Sequence, residues 1–227
     1  MNKIICCDFH AHILPEIDHG SKSVEMSMQQ IKRAKECGVS SIVATPHFYP
    51  QHHKIDDFCK LRDISYEKLM AENIDDIPKI MMGAEVLLCD GLDRINGIKK
   101  LCIENTNVML LEIPDSEFTD MMQDTILRLC NQRYINVVIA HPERYSTTIT
   151  DVLEKMSLPF QINAEGYLGV STRKRCAKWI EQGKVWAVGS DVHRNENRYS
   201  FFVKMKYRMG EEFHKIQEKT RKILNIN

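Results

Sequence analysis

Two histidines one residue apart, His10 and His12, lie near the start of this chain, and a Ser-Asp-x-His segment with Asp191 and His193 lies near its end. Neutral imidazole is the commonest metal ligand in proteins, so the first pair can hold one divalent ion. A His-x-His pair alone is a weak signal, because nearby loop histidines are usually only solvated. The positions of the remaining acids and histidines decide whether a metal site is predicted.

Further histidines and carboxylates follow short apolar runs along the chain. Those outside the two terminal motifs are His47, Glu85, Glu112 and His141. Any one of these acids alone is more often a strand-end cap or a solvated loop group. The whole set would be costly to bury unless divalent cations supplied both charge and coordination. The set therefore predicts a metal centre.

The donor types indicate which ions would bind. Imidazole nitrogens and carboxylate oxygens without a thiolate suit Mn²⁺, Fe²⁺ or Zn²⁺. Roughly nine candidate ligands are too many for one tetrahedral ion. Two to three divalent ions are therefore predicted.

Ligands that are far apart along the chain must be brought together by helices and strands. Short apolar runs alternate with longer amphipathic segments along this chain, as in repeated βα units around a parallel sheet. Seven strands are predicted, at Lys3–Asp8, Ser41–Thr45, Lys79–Ala84, Asn107–Leu111, Asn136–Ala140, Pro159–Ile162 and Val185–Gly189. Helices are predicted at Val24–Cys37, Asp56–Glu72, Glu117–Gln132, Thr147–Met156 and Arg173–Gln182, with a final helical stretch over Arg198–Leu224. The C-terminal ends of parallel strands converge on one face, which would bring the candidate ligands together.

Composition limits the function classes. Lys plus Arg and Asp plus Glu both number 31, so no global field draws the chain to nucleic acid or to an anionic membrane. We find no apolar run long enough to span a membrane and no signal-peptide core, so the expected location is the cytoplasm. No linker or charge block marks a second domain, so residues 1–227 are expected to form one domain.

Eight cysteines are scattered without a C-x-x-C pair. None has an arginine six positions later, the spacing by which cysteine phosphatases hold phosphate around a thiolate. We interpret them as reduced core residues or free thiols.

Taken in order, the motifs resemble those of the polymerase and histidinol phosphatase (PHP) superfamily of metal hydrolases, and most closely its bacterial protein-tyrosine phosphatase branch, which accompanies capsule and exopolysaccharide synthesis. The motifs that carry the resemblance are Asp8-Phe-His10-Ala-His12, Asp18-His19-Gly20, Ala-Thr-Pro-His47, Gly-Ala-Glu85, Leu-Leu-Glu112, Ala-His141-Pro-Glu-Arg144 and Gly-Ser-Asp191-Val-His193 with Arg198 following. The resemblance implies an α/β fold, a distorted seven-stranded (β/α) barrel, and a trinuclear centre usually discussed with manganese.

The resemblance also implies how the ligands are shared. One ion would be held by His10, His12, Glu85 and Asp191; Glu85 would bridge to a second held also by Glu112 and His141; and His47 and His193 would hold the third. Family members generally place an Asp before the glycine that is Gly20 here, as a further ligand to the third ion, whereas this chain has His19. Imidazole can replace the carboxylate, but the change removes a negative charge and favours Zn²⁺ or Fe²⁺. Asp18 is an alternative ligand.

The implied reaction is hydrolysis of phosphotyrosine. A water bridging two ions would lose its proton near neutral pH and attack phosphorus in line. Arg144 and Arg198 match arginines that the family places around the phosphate, and their planar forks suit its oxygens. For Arg198 a solvated position is an equally good interpretation. The third ion or a protonated His193 could assist the leaving phenolate.

Several alternatives remain open. Histidinol-phosphate phosphatase uses the same chemistry on an alkyl phosphate, and fold does not determine substrate. An amidohydrolase also begins with His-x-His, but it usually has a bridging lysine at the position where this chain has Leu-Leu-Glu112-Ile. The absence of that lysine argues against an amidohydrolase. Single-strand nuclease activity would lack a basic groove. A non-enzymatic scaffold could bind a phosphorylated partner through the same metals and arginines.

The resemblance further implies a partner, a phosphotyrosine-containing protein such as the tyrosine-rich C-terminal tail of a cytoplasmic bacterial tyrosine kinase. Phe48, Tyr49 and Pro50 could form an aromatic wall at the entrance, although ordinary loop packing is the favoured interpretation.

Overall fold

The strands of the computed structural model, which describes residues 6–72, 76–115 and 118–226, form two parallel sheets. The strands are β1 (Cys7–Ala11), β2 (Ser41–Ala44), β3 (His47–Phe48), β4 (Lys79–Met82), β5 (Glu85–Leu87), β6 (Val108–Glu112), β7 (Asn136–Ala140), β8 (Phe160–Asn163) and β9 (Val185–Gly189). One sheet has the order β1-β2-β4 and the other β3-β5-β6-β7-β8-β9. The α/β class with parallel strands, predicted from the alternating pattern, is confirmed.

The helices pack outside the strands. They are α1 (Val24–Glu36), α2 (Ile55–Met70), α3 (Asp120–Asn131), α4 (Thr147–Lys155), α5 (Ala164–Leu168), α6 (Arg173–Glu181), α7 (Tyr199–Met209) and α8 (Glu211–Ile223). In α1, Ile31 and Ala34 share a buried face, and Ser23 caps the helix by accepting a hydrogen bond from the Met26 N–H. Among the described residues, no helix combines the length and the apolar character that a membrane crossing requires.

Two strands are broken in the middle and continue as a second strand, β2 as β3 and β4 as β5. We call each of these pairs, and each unbroken strand, a strand line. The two breaks account for the two sheets. Pro46 has no N–H to give to a ladder, so β2 ends before it and β3 begins after it. Gly83 and Ala84 separate β4 from β5. Hydrogen bonds from Gly83 N to Ala44 O (2.8 Å) and from Glu85 N to Pro46 O (3.0 Å) cross the breaks. The two lines therefore stay paired while they bend from one sheet into the other.

The ends of β1 and β9 close the structure. Asp191 N donates to His10 O (2.7 Å) and His12 N donates to Val192 O (2.9 Å). Behind this contact the buried Asp8 carboxylate accepts from Ser190 N (2.8 Å) and Ser190 Oγ (2.6 Å). The strand lines thus form a distorted barrel in the circular order β1, β2 with β3, β4 with β5, β6, β7, β8, β9 and back to β1.

Several predicted boundaries were wrong. Of the first predicted strand, residues 3–5 lie outside the described residues, and the observed strand continues past Asp8 to Ala11, so His10 lies within it. The apolar pattern stops at Asp8, but His10 is fully buried and stays in the ladder. Glu117, predicted to begin a helix, lies outside the described residues.

The long C-terminal helical prediction is also corrected. Gly210, at a positive φ of 56°, separates α7 from α8. Arg198 ends the short 3₁₀ helix Glu196–Arg198 and lies directly before α7, not within it. The five-residue helix α5 directly after β8 was not predicted.

Candidate metal centre

The Glu85 carboxylate, at the start of β5, lies at the centre of the predicted ligands. Its Oε2 atom is 3.1 Å from His10 Nε2, 3.2 Å from His12 Nε2 and 3.1 Å from His47 Nδ1. Its Oε1 atom is 2.8 Å from His141 Nε2. Four imidazoles from three strand lines, two of them from the β1 line, therefore surround one carboxylate.

Asp191 adds a second buried carboxylate beside this group. Its Oδ1 atom is 3.6 Å from His10 Nε2 and 3.5 Å from His12 Nε2. Glu112, at the end of β6, lies 3.8 Å from His47 Nδ1 and 3.7 Å from His141 Nε2 through its two oxygens. His193 Nε2 is 3.4 Å from His47 Nε2.

The donor atoms fit divalent ions. Ligand atoms of three groups lie within 4.8 Å of one another, and the groups are His12, His47 and His193; His10, His12 and Glu85; and His47, Glu85 and Glu112. Asp191 Oδ1 and His47 Nδ1 are buried without a hydrogen-bond partner, which is costly unless a cation completes the site.

Neighbouring charges divide the histidines of the metal-free protein into two kinds. Burial would lower the pKa of His12, but hydrogen bonds and charge from Asp18 and Glu85 raise it to about 10. Burial, reinforced by the positive charge of His12 against the opposing charge of Glu85, lowers the pKa of His47 to about 3. Burial likewise lowers the pKa of His193 to about 4. A metal must displace a proton from His12, whereas His47 and His193 offer free lone pairs at neutral pH.

The carboxylates are also distinguished by their surroundings. Burial and the charge of Glu85 raise the pKa of Glu112 to about 7. Burial would raise the pKa of Glu85 as well, but the charges and hydrogen bonds of the surrounding histidines hold it well below its usual range. Glu85 therefore carries the negative charge at the centre of the site.

Asp18 is an orienting group and not a free ligand. Its Oδ2 atom is 2.8 Å from His12 Nδ1 and accepts from His47 N (3.0 Å), and its Oδ1 atom accepts from Gly20 N (2.7 Å). Both oxygens are occupied, so the structure does not favour Asp18 as the substitute ligand for the third ion. A carboxylate on the far ring nitrogen instead directs His12 Nε2 toward the metal position.

His19 lies at the exposed edge of the cluster. Its ring centroid is 4.5 Å from those of both His47 and His193. The histidine at the position where the resemblance implies an aspartate is therefore close to the two histidines that the resemblance assigns to the third ion.

Two arginines contact the outer side of Asp191. Arg144 Nη2 donates to Asp191 Oδ2, and 45% of the Arg144 side chain is exposed. Arg198 donates from Nε to Ser190 O (3.0 Å) and lies 2.9 Å from a Glu165 oxygen and 3.8 Å from Asp191 Oδ2 through Nη2. Both guanidinium groups thus lie beside the candidate metal cluster, and Arg144 also faces solvent.

Sequence reasoning left several site residues without a role. Asp8 joins β1 to β9, and Gln161 and Asn163 on β8 contact His10 and Asp191. The sequence did carry a signal for these residues. Polar side chains two positions apart on an otherwise apolar strand lie on the same face of the sheet. Phe48, suggested as part of an aromatic wall, is instead fully buried, whereas the Tyr49 ring stacks on His47 at 5.2 Å.

Comparison with known proteins shows which family the chain matches. The capsular polysaccharide synthesis family CpsB/CapC matches residues 6–225. The putative tyrosine-protein phosphatase CapC of Staphylococcus aureus is 29% identical over 210 residues, covering 84% of this chain and 78% of the relative. The tyrosine-protein phosphatase YwqE of Bacillus subtilis is 24% identical over 222 residues, covering 91% and 84%.

A solved structure shares the fold. It comes from work on YwqE of Bacillus subtilis and CpsB of Streptococcus pneumoniae, described as metal-dependent tyrosine phosphatases, and it matches with a TM-score of 0.76 at 21% identity, covering 97% of this chain and 95% of the other. The resemblance inferred from the motifs is confirmed. The chain belongs to the CpsB/CapC family of capsular polysaccharide synthesis proteins.

Proposed function

We propose that this chain is a metal-dependent protein-tyrosine phosphatase. The observation that carries the proposal is the Glu85 carboxylate surrounded by four imidazoles, with the half-exposed Arg144 beside it. Cations held there would face the same opening as a guanidinium group suited to phosphate. The relatives named above are tyrosine phosphatases, which supports the substrate class.

The ligands would be shared as the family resemblance implies. His10, His12, Glu85 and Asp191 would hold one ion, Glu85 with Glu112 and His141 a second, and His47 and His193 with His19 a third. We propose two to three ions, with Mn²⁺ as the principal candidate and Fe²⁺ or Zn²⁺ as alternatives. Bound divalent ions would supply Lewis-acid chemistry to the phosphomonoester and to the attacking water.

The protein's own groups would position the substrate. Arg144 would move from Asp191 to bind equatorial phosphate oxygens. Arg198, which contacts Ser190 and Asp191, would add positive charge that stabilises the negative charge of the phosphate. A protonated His193 is not favoured as a general acid, because its pKa is lowered to about 4 in the metal-free protein. Tyrosine phenolate, with a pKa near 10, can leave without strong acid assistance.

The nucleophile is not a cysteine in this proposal. All eight thiols are free, and burial raises the pKa of each of them, so none has the character of an activated thiolate. No covalent phosphoenzyme is expected.

The opening of the site favours a protein-borne phosphotyrosine. Glu112 and His193 side chains are 22% and 24% exposed, in contrast to the fully buried His10. A phenyl phosphate on a flexible segment can reach this opening. We propose the C-terminal tail of a bacterial tyrosine kinase as the partner, and the cytoplasm as the place where the two meet.

Activity assays test the proposal directly. Purified protein loaded with Mn²⁺ should release phosphate from a phosphotyrosine peptide, lose that activity in EDTA and regain it when Mn²⁺ is restored. Cys89→Ser, which changes the half-buried thiol shortly after β5, should keep full activity. Loss of all activity in a cysteine-to-serine variant that still folds would contradict the proposal.

A parallel assay separates the alternatives. Histidinol phosphate, offered to the same Mn²⁺-loaded protein, should be the poorer substrate. Preference for histidinol phosphate would indicate a small-molecule phosphatase. Binding of the phosphopeptide without phosphate release would indicate a scaffold.

A further inference from the structure

Two buried amide side chains on β8 connect two of the proposed ligands. Gln161 Oε1 is 2.9 Å from His10 Nδ1, and Gln161 Nε2 donates to Asn163 Oδ1 (2.9 Å). Asn163 Nδ2 then donates to Asp191 Oδ2 (3.1 Å). Gln161 and Asn163 are 0% and 2% exposed. We call this chain of hydrogen bonds, from His10 through Gln161 and Asn163 to Asp191, the amide relay.

Both ends of the amide relay have a fixed polarity. The backbone N–H of His141 donates to the same Gln161 oxygen (3.3 Å), and an N–H can only donate. The Asp191 oxygen can only accept while the carboxylate is ionised, so Asn163 must present its NH₂ group to it. Flipping either amide would set two donors or two acceptors against each other. Gln161 therefore accepts, and His10 carries its proton on Nδ1.

This polarity decides which atoms face the metal position. With Nδ1 protonated and bonded to Gln161, His10 can coordinate only through Nε2, the atom 3.1 Å from Glu85 Oε2. With Oδ2 taken by Asn163 and Arg144, Asp191 is left with Oδ1, which is buried and without a hydrogen-bond partner. One relay thus orients two ligands from β1 and from the end of β9.

The backbone around the amide relay is built to admit it. A Cβ atom on Gly189 would lie 2.5 Å from His10 Cβ and 2.7 Å from Gln161 Nε2, so only glycine leaves room for the contact. Glu143 Oε1 accepts from Asn163 N (2.9 Å) and fixes the backbone at the other end of the relay.

We propose that Gln161 and Asn163 are positioning residues that select Nε2 of His10 and Oδ1 of Asp191 as metal ligands. The inference rests on the metal centre of the proposed function. Removal of a side chain that is hydrogen-bonded to a metal ligand typically lowers metal affinity by about 10- to 100-fold.

The test compares two buried glutamines. Gln161→Met removes the relay while keeping an unbranched side chain of similar size. Gln217→Met is the matched control, because Gln217 is also buried and its hydrogen bonds to the described residues go to the backbone of Cys7, at Cys7 N (2.7 Å) and Cys7 O (3.3 Å). Zn²⁺ affinity is measured by competition with a chelator, and thermal unfolding shows that each variant is folded.

We expect Gln161→Met to bind Zn²⁺ about 10- to 100-fold more weakly than the unaltered protein, and Gln217→Met to bind it equally well. In ¹⁵N-histidine-labelled protein, the His10 Nδ1–H resonance should be protected from exchange in the unaltered protein and in Gln161→Glu, which keeps the accepting oxygen. The resonance should be unprotected in Gln161→Met.

Equal Zn²⁺ affinity of Gln161→Met and the unaltered protein would overturn the inference, as would protection of the His10 Nδ1–H without Gln161. Neither the Zn²⁺ affinity nor the exchange measurement uses phosphatase activity, so a failure of the relay can be distinguished from a failure of the proposed function. Absence of activity in a protein that binds Zn²⁺ through the relay would contradict only the proposed function.

Discussion

At the scale of single residues, burial and neighbouring charges together decide what each histidine can do. The hydrogen bonds and charges of Asp18 and Glu85 outweigh burial at His12, so that its pKa is raised and it retains a proton in the metal-free protein. At His47, burial, reinforced by the positive charge of His12, lowers the pKa, so that the proton is lost. Both are buried side chains of the same type. Their difference shows why residue type indicates a metal site but not the protonation of each ligand.

His19 occupies the position at which, by the motif resemblance, we expect this chain to differ from the family pattern. His19→Asp would introduce a carboxylate beside His47 and His193, and we expect Mn²⁺ affinity to rise about tenfold, because an anionic oxygen suits Mn²⁺ better than imidazole does. The measurement is the amount of free Mn²⁺ during titration, followed by electron paramagnetic resonance. His52→Asp adds the same charge at an exposed loop histidine and is the control. Equal Mn²⁺ binding by both variants would show that residue 19 supplies no ligand.

The raised pKa of His12 predicts how the stability of the metal-free protein depends on pH. Because the folded pKa, about 10, lies above the unfolded value near 6.5, the stabilisation is fully present below pH 6.5 and is lost as pH rises through about 10. We expect the free energy of unfolding in EDTA to fall by on the order of a few kcal/mol across this window. Urea unfolding at pH 6.5 and pH 10 measures the change. Asp18→Asn, which weakens the cause of the shift, should show a smaller pH dependence.

At the scale of elements, the strand ends set the geometry of the site. His47 and Glu85 begin β3 and β5 only because Pro46 and Gly83-Ala84 break the two strand lines. The breaks allow these residues to turn into the second sheet while their backbones stay hydrogen-bonded. The sequence predicted seven strands but not the separate strands β3 and β5, because the breaks depend on how the sheets meet.

The contact between the ends of β1 and β9 leads to a prediction at the scale of elements. Gly189→Ala would push a methyl group into His10 and Gln161, and we expect a loss of about 1–3 kcal/mol in the free energy of unfolding together with weaker metal binding. Gly183→Ala is the control. Gly183 has a φ of 71° and no close atom except Lys219 Nζ at 3.8 Å, so alanine there should cost about 1 kcal/mol through backbone strain and leave metal affinity unchanged. Normal Zn²⁺ affinity in Gly189→Ala would contradict the tight packing behind His10.

At the scale of the whole molecule, the candidate ligands connect both sheets. Ligands come from β1, β3, β5 and β6 and from the segments after β7 and β9, so a bound ion would join strand ends that are separated along the chain. Metal binding and folding are then linked, because the unfolded chain does not bring the ligands together.

Metal should therefore stabilise the whole fold. At a free metal concentration 100-fold above Kd, we expect the free energy of unfolding to rise by about 2.7 kcal/mol and Tm to rise with it. Calorimetry with Mn²⁺ and with EDTA measures the difference. Glu85→Gln should lose most of the metal-dependent shift, whereas His214→Ala, on α8 away from the cluster, should retain it. The same shift in both variants would show that the ion binds elsewhere.

The sequence by itself determined the α/β class, most strand positions and the set of candidate ligands, because apolar periodicity and residue chemistry are local properties of the chain. It placed His10, Glu85, His141 and Asp191 near strand ends before any distance was known. Only the tertiary structure decided that Asp18 orients His12, that Phe48 is buried, and that Gln161 and Asn163 connect His10 to Asp191. These roles depend on contacts between segments up to 151 residues apart, which hydrogen-bond geometry and burial define and periodicity does not encode.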